Sequence, residues 1–164
     1  MNLIVAVDKN WGIGYKNELL ARIPEDLSFF RRMTEGKIVV YGRKTLETFP
    51  NKAPLKGRTN VVISSNESFY VEGAIVVHSV NELLKYLKTF DCVDIFVIGG
   101  ASVYAQLLSY CDTAYVTKID KEYKADAYFP NLDEKKEWIL GDSTDMVCQE
   151  ALIKFTTYHR IETA

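Results

Sequence analysis

Histidine is scarce in this chain. There are two, His78 and His159, far apart and in no metal-spaced pair, so the usual zinc frameworks are not expected. Gly-x-Ser-x-Gly is absent, and with it the nucleophile elbow. Gly-x-x-x-x-Gly-Lys-[Ser/Thr] is absent, and with it the P-loop. Three cysteines, Cys92, Cys111 and Cys148, stand apart with no Cys-x-x-Cys. That excludes a disulfide framework or redox pair, fits a reducing, cytoplasmic setting, and leaves each as a small core residue. No apolar run approaches the ~18 residues that span a bilayer, and the short run at the N-terminus lacks the basic lead of a signal peptide. Neither sign of charge dominates: 20 Lys and Arg face 22 Asp and Glu, a net of −2. Without a basic stripe, nucleic acid is not the expected partner. What remains is chemistry by a carboxylate or by a bound organic cofactor.

The chain is long enough to bury one real core: 164 residues, of which 48% are hydrophobic and 26% charged. Leu3-Ile4-Val5-Ala6-Val7 is a continuous apolar run that reads as a strand buried on both faces. Residues 8–22 carry Gly12 and Gly14 without periodicity and read as a lid or binding loop. Pro24-Glu25-Asp26 opens a helix that ends at Gly36. Further strands are expected at 37–41, 60–63, 74–77, 94–98 and 113–119, with closing strands at 138–140 and 152–158. Helices are expected at 43–48, at 80–87 behind Ser79 or Asn81, and at 102–108. The alternation predicts an α/β fold: a single domain over 1–164, with a central, mostly parallel sheet of about eight strands, an antiparallel C-terminal edge, and helices on both faces. Ligands of such sheets bind outside the carboxyl ends of the strands.

Three constellations stand at those ends. Gly42-Arg43-Lys44-Thr45 joins two cations and a hydroxyl at a helix start, which is either a phosphate site or a solvated basic turn. Ile98-Gly99-Gly100-Ala101-Ser102-Val103-Tyr104 sets glycines between strand and helix, for a pyrophosphate or for a tight turn alone. With Ser64-Ser65, the two suggest a ligand carrying more than one phosphate. Asp26, among Ile23, Leu27 and Phe30, either stabilises the helix start or faces an apolar cleft and binds a cationic or amidine-like ring. Desolvation there raises its pKa, and a cationic partner lowers it.

With these blocks in order along essentially the whole sequence, the chain resembles the dihydrofolate reductase family. Ile4-Val5-Ala6-Val7 with Gly12-Ile13-Gly14 is similar to its first strand and mobile loop, and Ile23-Pro24-Glu25-Asp26-Leu27-Ser28-Phe29-Phe30 to its first helix. Pro54-Leu55-Lys56-Gly57-Arg58 is a further matching block. The resemblance implies NADPH-dependent reduction of 7,8-dihydrofolate to tetrahydrofolate by a cytoplasmic monomer, in one-carbon metabolism, and sensitivity to antifolates. It implies that Asp26 holds the pterin with Thr117 beside it. Ile4, Val5, Leu27, Phe30, Phe49, Leu55, Ile98 and Tyr104 would line the substrate pocket, and Arg58 would clamp the glutamate α-carboxylate. Gly42, Thr45, Gly99, Gly100, Ala101, Ser102, Val103 and Tyr104 would embrace the cofactor phosphates. Arg43, Lys44, Ser64 and Ser65 would read the 2′-phosphate, and Ala6, Ile13 and Gly14 would border the nicotinamide. Asp126 matches an acid that steadies the mobile loop. One departure stands out: Leu19-Leu20-Ala21 replaces the family's usual Leu-Pro-Trp, and Trp11 is the tryptophan in the same loop.

Two other readings bear on the same residues. A non-catalytic dinucleotide-binding module would keep the phosphate sites but would need neither a buried Asp26 nor Arg58. A riboflavin-pathway reductase shares the fold and cofactor type with a pyrimidine substrate; the spacing from Asp26 to Arg58 favours folate.

Overall fold

The structure is a computed structural model that describes residues 1–149 and 151–162. Its elements in chain order are β1 (Asn2–Val7), β2 (Gly12–Tyr15), β3 (Glu18–Leu19), α1 (Pro24–Thr34), β4 (Ile38–Gly42), α2 (Arg43–Leu46), β5 (Thr59–Ile63), β6 (Ala74–Val77), α3 (Val80–Leu87), β7 (Ile95–Gly99), α4 (Ala101–Leu107), β8 (Thr113–Ile119), β9 (Ala127–Tyr128), β10 (Trp138–Val147) and β11 (Leu152–Arg160).

Eight strands form one sheet in the order β10-β11-β8-β1-β7-β4-β5-β6. The pairs from β8 to β6 are parallel, while β11 runs antiparallel to β8 and β10 to β11. This is the expected α/β arrangement, with the antiparallel strands at the C-terminal edge. The apolar run of β1 explains its central place: Leu3, Val5 and Val7 point into a core shared with Leu83 and Leu87 of α3 and Val103 and Leu107 of α4. Ile4 and Ala6 face the other way, because successive strand residues alternate. On that second face Val39, Tyr41 and Val62 pack with Leu46 of α2, and Phe29 of α1 lies 4.7 Å from Phe155 of β11.

Several expectations are corrected. Residues 8–22 are not irregular throughout: β2 and β3 form a hairpin, and β2 pairs with the distant β9. Lys16 and Asn17 both have positive φ, the turn geometry that matches strand twist in a two-residue hairpin. The strand expected at 138–140 runs on to Val147, past a register shift between Leu140 and Ser143. The helix expected at 43–48 closes at Leu46, and Asp94 ends a 3₁₀ turn rather than opening β7. Ser79, not Asn81, caps α3, its hydroxyl accepting from the Glu82 N–H at 3.1 Å. Cys111 and Cys148 are buried as core residues, but Cys92 is exposed in that same turn.

The parallel strands β4, β5, β6 and β7 all end on the same rim. They deliver Gly42, Ser64, His78 and Gly99 to one edge of the sheet, while β1, β8 and α1 deliver Ile4, Thr117 and Asp26 beside it.

Candidate active site

Asp26 is the third residue of α1. Proline fits the first helical position, where its missing N–H is not needed. Ile23 before it is extended and its side chain gives no cap bond, so the first turn does not consume the Asp26 carboxylate. That carboxylate hydrogen-bonds instead to the side chain of Thr117. Thr117 is 1% exposed and stands on β8 opposite Ala6 of β1. Burial raises the Asp26 pKa above the ordinary 3.8, and the Thr117 bond works in the opposite direction. A carboxylate under these two influences suits a partner that brings its own positive charge or proton.

The rim of strand ends offers a surface stripped of side chains. Gly99 has φ of +134°, which only glycine adopts readily. A Cβ on Gly100 would stand 3.3 Å from Thr45 Oγ1, and one on Gly42 would stand 3.1 Å from Val103 Cγ2. Backbone N–H groups at the starts of α2 and α4 are therefore open to close approach, the property an anion site needs. Arg43 is braced from behind, its guanidinium 6.0 Å from the centre of the Phe69 ring. Tyr104 spends its hydroxyl internally, donating to the Ile4 carbonyl at 2.6 Å, and its ring lies edge-on to Phe129.

Arg58 is held from two sides. Nε donates to the Lys56 carbonyl at 2.9 Å and Nη1 to Thr34 Oγ1 at 3.3 Å. Burial pulls its pKa down, Glu35 opposes this, and Arg31 adds to it. The loop before it hangs on Asn60, which is 3% exposed. Asn60 Oδ1 accepts from the Leu55 N–H at 2.9 Å and the Tyr41 hydroxyl at 2.9 Å. Asn60 Nδ2 donates to the carbonyls of Leu55 at 2.8 Å and Arg58 at 3.1 Å. Both ends of this amide are fully used.

The loop over the site is fastened by two acids. Asp8 Oδ1 accepts from the N–H groups of Asn10 and Gly12, and Oδ2 from that of Tyr123. Asp126 accepts from the Lys16 N–H at 3.1 Å, and its own N–H donates to the Gly14 carbonyl at 3.0 Å. Trp11 does not stand in for the missing tryptophan. It is buried in the core against Phe129 and Tyr158, away from Asp26's cavity.

All these parts border one cavity of about 900 Å³. Every site residue expected from the sequence lines it except Thr117, which sits behind Asp26. The cavity also takes in residues that sequence reasoning did not select: Asp8, Glu18, Leu20, Ala21, Arg22, His78 and Ser79. Asp26 is thus not the sole acid at the cleft, but Asp8 is engaged by backbone donors, Asp126 by Lys16, and Glu18 is exposed. Two of the Asp8 partners, Asn10 and Gly12, are local, but the third, the Tyr123 N–H, lies 115 positions away.

A mixed α/β sheet thus gathers a glycine-lined rim, flanking cations and a buried carboxylate around one cavity. Comparison with known proteins makes this particular. The sequence profile of the family described as dihydrofolate reductase matches residues 1–160. Dihydrofolate reductase of Bacillus subtilis (strain 168) is 37% identical over 143 residues, 87% of this chain and 82% of that protein. That of Neisseria gonorrhoeae is 33% identical over 159 residues, covering 97% and 96%. A solved structure of Enterococcus faecalis dihydrofolate reductase, complexed with NADP(H) and RAB-propyl, superposes with a TM-score of 0.89 at 33% identity, covering 98% of this chain and 96% of that one. The chain belongs to the dihydrofolate reductase family.

Proposed function

We propose that this chain reduces 7,8-dihydrofolate to 5,6,7,8-tetrahydrofolate with NADPH, the pterin resting on Asp26 and the glutamate on Arg58. The observation that carries this is Asp26, backed by Thr117, lining the same cavity as the glycine rim. When bound, the cofactor supplies a hydride, here to pterin C6.

The residues of the chain do the rest. Asp26 binds the amidine-like edge of the pterin and, fixed by Thr117, orients and polarises the ring. In this reading water, rather than Asp26 itself, delivers the N5 proton. Ala21, which lines the cavity where the family carries a bulky ring, leaves room for that water. Ile4, Val5, Leu27, Phe30, Phe49, Leu55 and Ile98 enclose the pterin and aminobenzoate. Arg58 keeps three of its five N–H donors for the α-carboxylate, since Lys56 and Thr34 take two. The residue positions fit NADPH: the bare glycines of the rim take the pyrophosphate, Arg43, Lys44, Ser64 and Ser65 the 2′-phosphate, and Ala6, Ile13 and Gly14 border the nicotinamide. The hairpin of β2 and β3 excludes bulk water. The chain works in this reading as a cytoplasmic monomer on a small molecule, without nucleic acid.

The test is loss of NADPH absorbance on adding dihydrofolate, with inhibition by methotrexate. Absence of turnover on folate substrates would overturn the reading.

A further inference from the structure

One buried amide stands behind three residues of the cavity wall. Asn60 lies on β5 opposite Val39 of β4, and strand alternation puts its side chain on the same face as Val62. Its amide grips the segment 55–58 at both ends: Leu55 through its N–H and carbonyl, Arg58 through its carbonyl. The remaining partner is Tyr41, whose hydroxyl donates to Oδ1. Burial pushes the Tyr41 pKa up, so this hydroxyl keeps its proton and stays a donor. The Tyr41 ring meets the Phe49 ring edge-on at 4.9 Å, and Tyr41, Phe49 and Leu55 belong to one apolar cluster. Phe49, Leu55 and Arg58 line the cavity, with Asn60 and Tyr41 behind them.

The amide has only one workable orientation. The Leu55 N–H needs an acceptor and the two carbonyls need donors, so oxygen and nitrogen cannot exchange places. The division of labour around Arg58 is then clear. The Thr34 hydroxyl aims the guanidinium, the Gly36 N–H holds the Gly57 carbonyl at 2.8 Å, and Asn60 fixes the backbone from which the Arg58 side chain springs. Asp26 and Thr117, which hold the other part of the cavity, stand on α1 and β8 and share none of these bonds.

We infer that Asn60 is a positioning residue for the tail of the substrate. Through Leu55, Arg58 and, by way of Tyr41, Phe49, it sets the affinity for the aminobenzoyl-glutamate and leaves the reacting ring unaffected. It touches neither substrate nor cofactor. The inference rests on the reading of Arg58 as the glutamate clamp. An amide that served only the stability of β5 would alter all substrates alike, or none.

The experiment is steady-state kinetics of the full chain at saturating NADPH. The substrates are dihydrofolate and a dihydropterin without the aminobenzoyl-glutamate. Wild type, Asn60→Asp, Asn60→Ala, Tyr41→Phe and Arg58→Lys are compared, with thermal midpoints to establish folding at the assay temperature. Aspartate still accepts from the Leu55 N–H but turns a lone pair toward two carbonyls. Asn60→Asp and Asn60→Ala should raise the Michaelis constant for dihydrofolate about tenfold and change kcat by less than about twofold, since misplaced donors cost binding of the tail and not the chemistry. Both constants for the truncated pterin should stay near those of wild type. Tyr41→Phe keeps the ring against Phe49 and removes one hydrogen bond, so it should raise the dihydrofolate constant alone, by about threefold. An equal rise for both substrates overturns the inference, as does a fall in kcat with the Michaelis constant unchanged. Should neither Asn60 variant fold, Tyr41→Phe decides, and an unchanged constant for dihydrofolate overturns it. If Arg58→Lys discriminates between the substrates while the Asn60 and Tyr41 variants do not, the clamp stands and Asn60 is structural. If Arg58→Lys does not discriminate, the clamp reading falls and the inference falls with it.

Discussion

The Thr34 hydroxyl accepts a hydrogen bond from Arg58 Nη1 at 3.3 Å and donates its own to the Phe30 carbonyl at 2.8 Å. Thr34 is fully buried at the end of α1. The guanidinium is therefore aimed from within the helix that also carries Asp26. If Arg58 clamps the glutamate, its substitution by lysine removes a planar fork that a point charge cannot replace. Arg58→Lys should raise the Michaelis constant for dihydrofolate by about 10- to 100-fold, the equivalent of one charge-assisted bond of ~1.5–3 kcal/mol. Thr34→Val should raise it less, and Thr34→Ser should restore it. A pterin substrate without the glutamate should be nearly indifferent to all three. If that truncated substrate suffers as much as dihydrofolate, Arg58 is a structural residue.

At the other end of the cavity, Arg43 and Lys44 stand at the start of α2. Removing either charge should raise the Michaelis constant for NADPH by about tenfold or more. The constant for NADH should change little, because it presents a hydroxyl where NADPH presents a phosphate. Steady-state kinetics of Arg43→Ala and Lys44→Ala with both cofactors checks this. Equal losses with the two would remove these residues from 2′-phosphate recognition.

What could be read from the sequence was what is local. The strands read at 3–7, 37–41, 60–63 and 94–98 announce themselves by apolar runs within them, and their parallel pairing follows from the helices between them. The hairpin of β2 and β3 was hidden because Gly12 and Gly14 weaken any strand signal, and because its other partner, β9, lies far along the chain. The second half of β10 was hidden by the register shift after Leu140 and by an edge with both faces exposed. The site divides in the same way. Asp26, the paired glycines and the cations after Gly42 are visible because a helix start or strand end gives them meaning where they stand. Asn60 and Asp8 have no such signal. Each acts through a backbone group brought to it by the fold, and Thr117 entered only through family resemblance.

Asp8 offers a test of one of these hidden residues. Three backbone N–H groups from two loops converge on its carboxylate, and a Cβ on Gly12 would meet Asp8 Oδ1 at 3.0 Å and Ala125 Cβ at 2.9 Å. Alanine at position 8 strands those donors in a buried place, and an unsatisfied buried group costs about 1–3 kcal/mol. With partial rescue by water, Asp8→Ala should lose ~2–3 kcal/mol and lower the midpoint by roughly 5–10 °C for a domain of this size. Asp8→Asn should lose less, since one oxygen still serves Asn10 and Gly12 while its amide faces the Tyr123 N–H. Thermal melts of the three proteins decide it, and an alanine variant as stable as wild type would show that water satisfies the loops equally well.

Asp26→Asn separates stability from catalysis. Burial raises the folded-state pKa of this carboxyl above the 3.8 of an unfolded chain. For an acid shifted upward, ionisation is easier in the unfolded state. Its effect on stability is absent below the unfolded value, grows as pH rises through the folded one, and is a constant penalty above it. Asparagine carries no charge and can keep a hydrogen bond with Thr117. Asp26→Asn should therefore match wild type in acid and be at least as stable at neutral pH. Turnover should move the other way. An amide supplies no negative charge to a pterin gaining a proton, so most activity should be lost at neutral pH. It should return in part in acid, where more of the substrate already carries the N5 proton. The measurements are thermal midpoints of both proteins from below the unfolded-state value of 3.8 up to neutral pH, and hydride-transfer rates from about pH 5 to 9. A variant fully active at pH 7 would take Asp26 out of the mechanism. A variant that is inactive because it has unfolded would contradict the sign worked out for its burial.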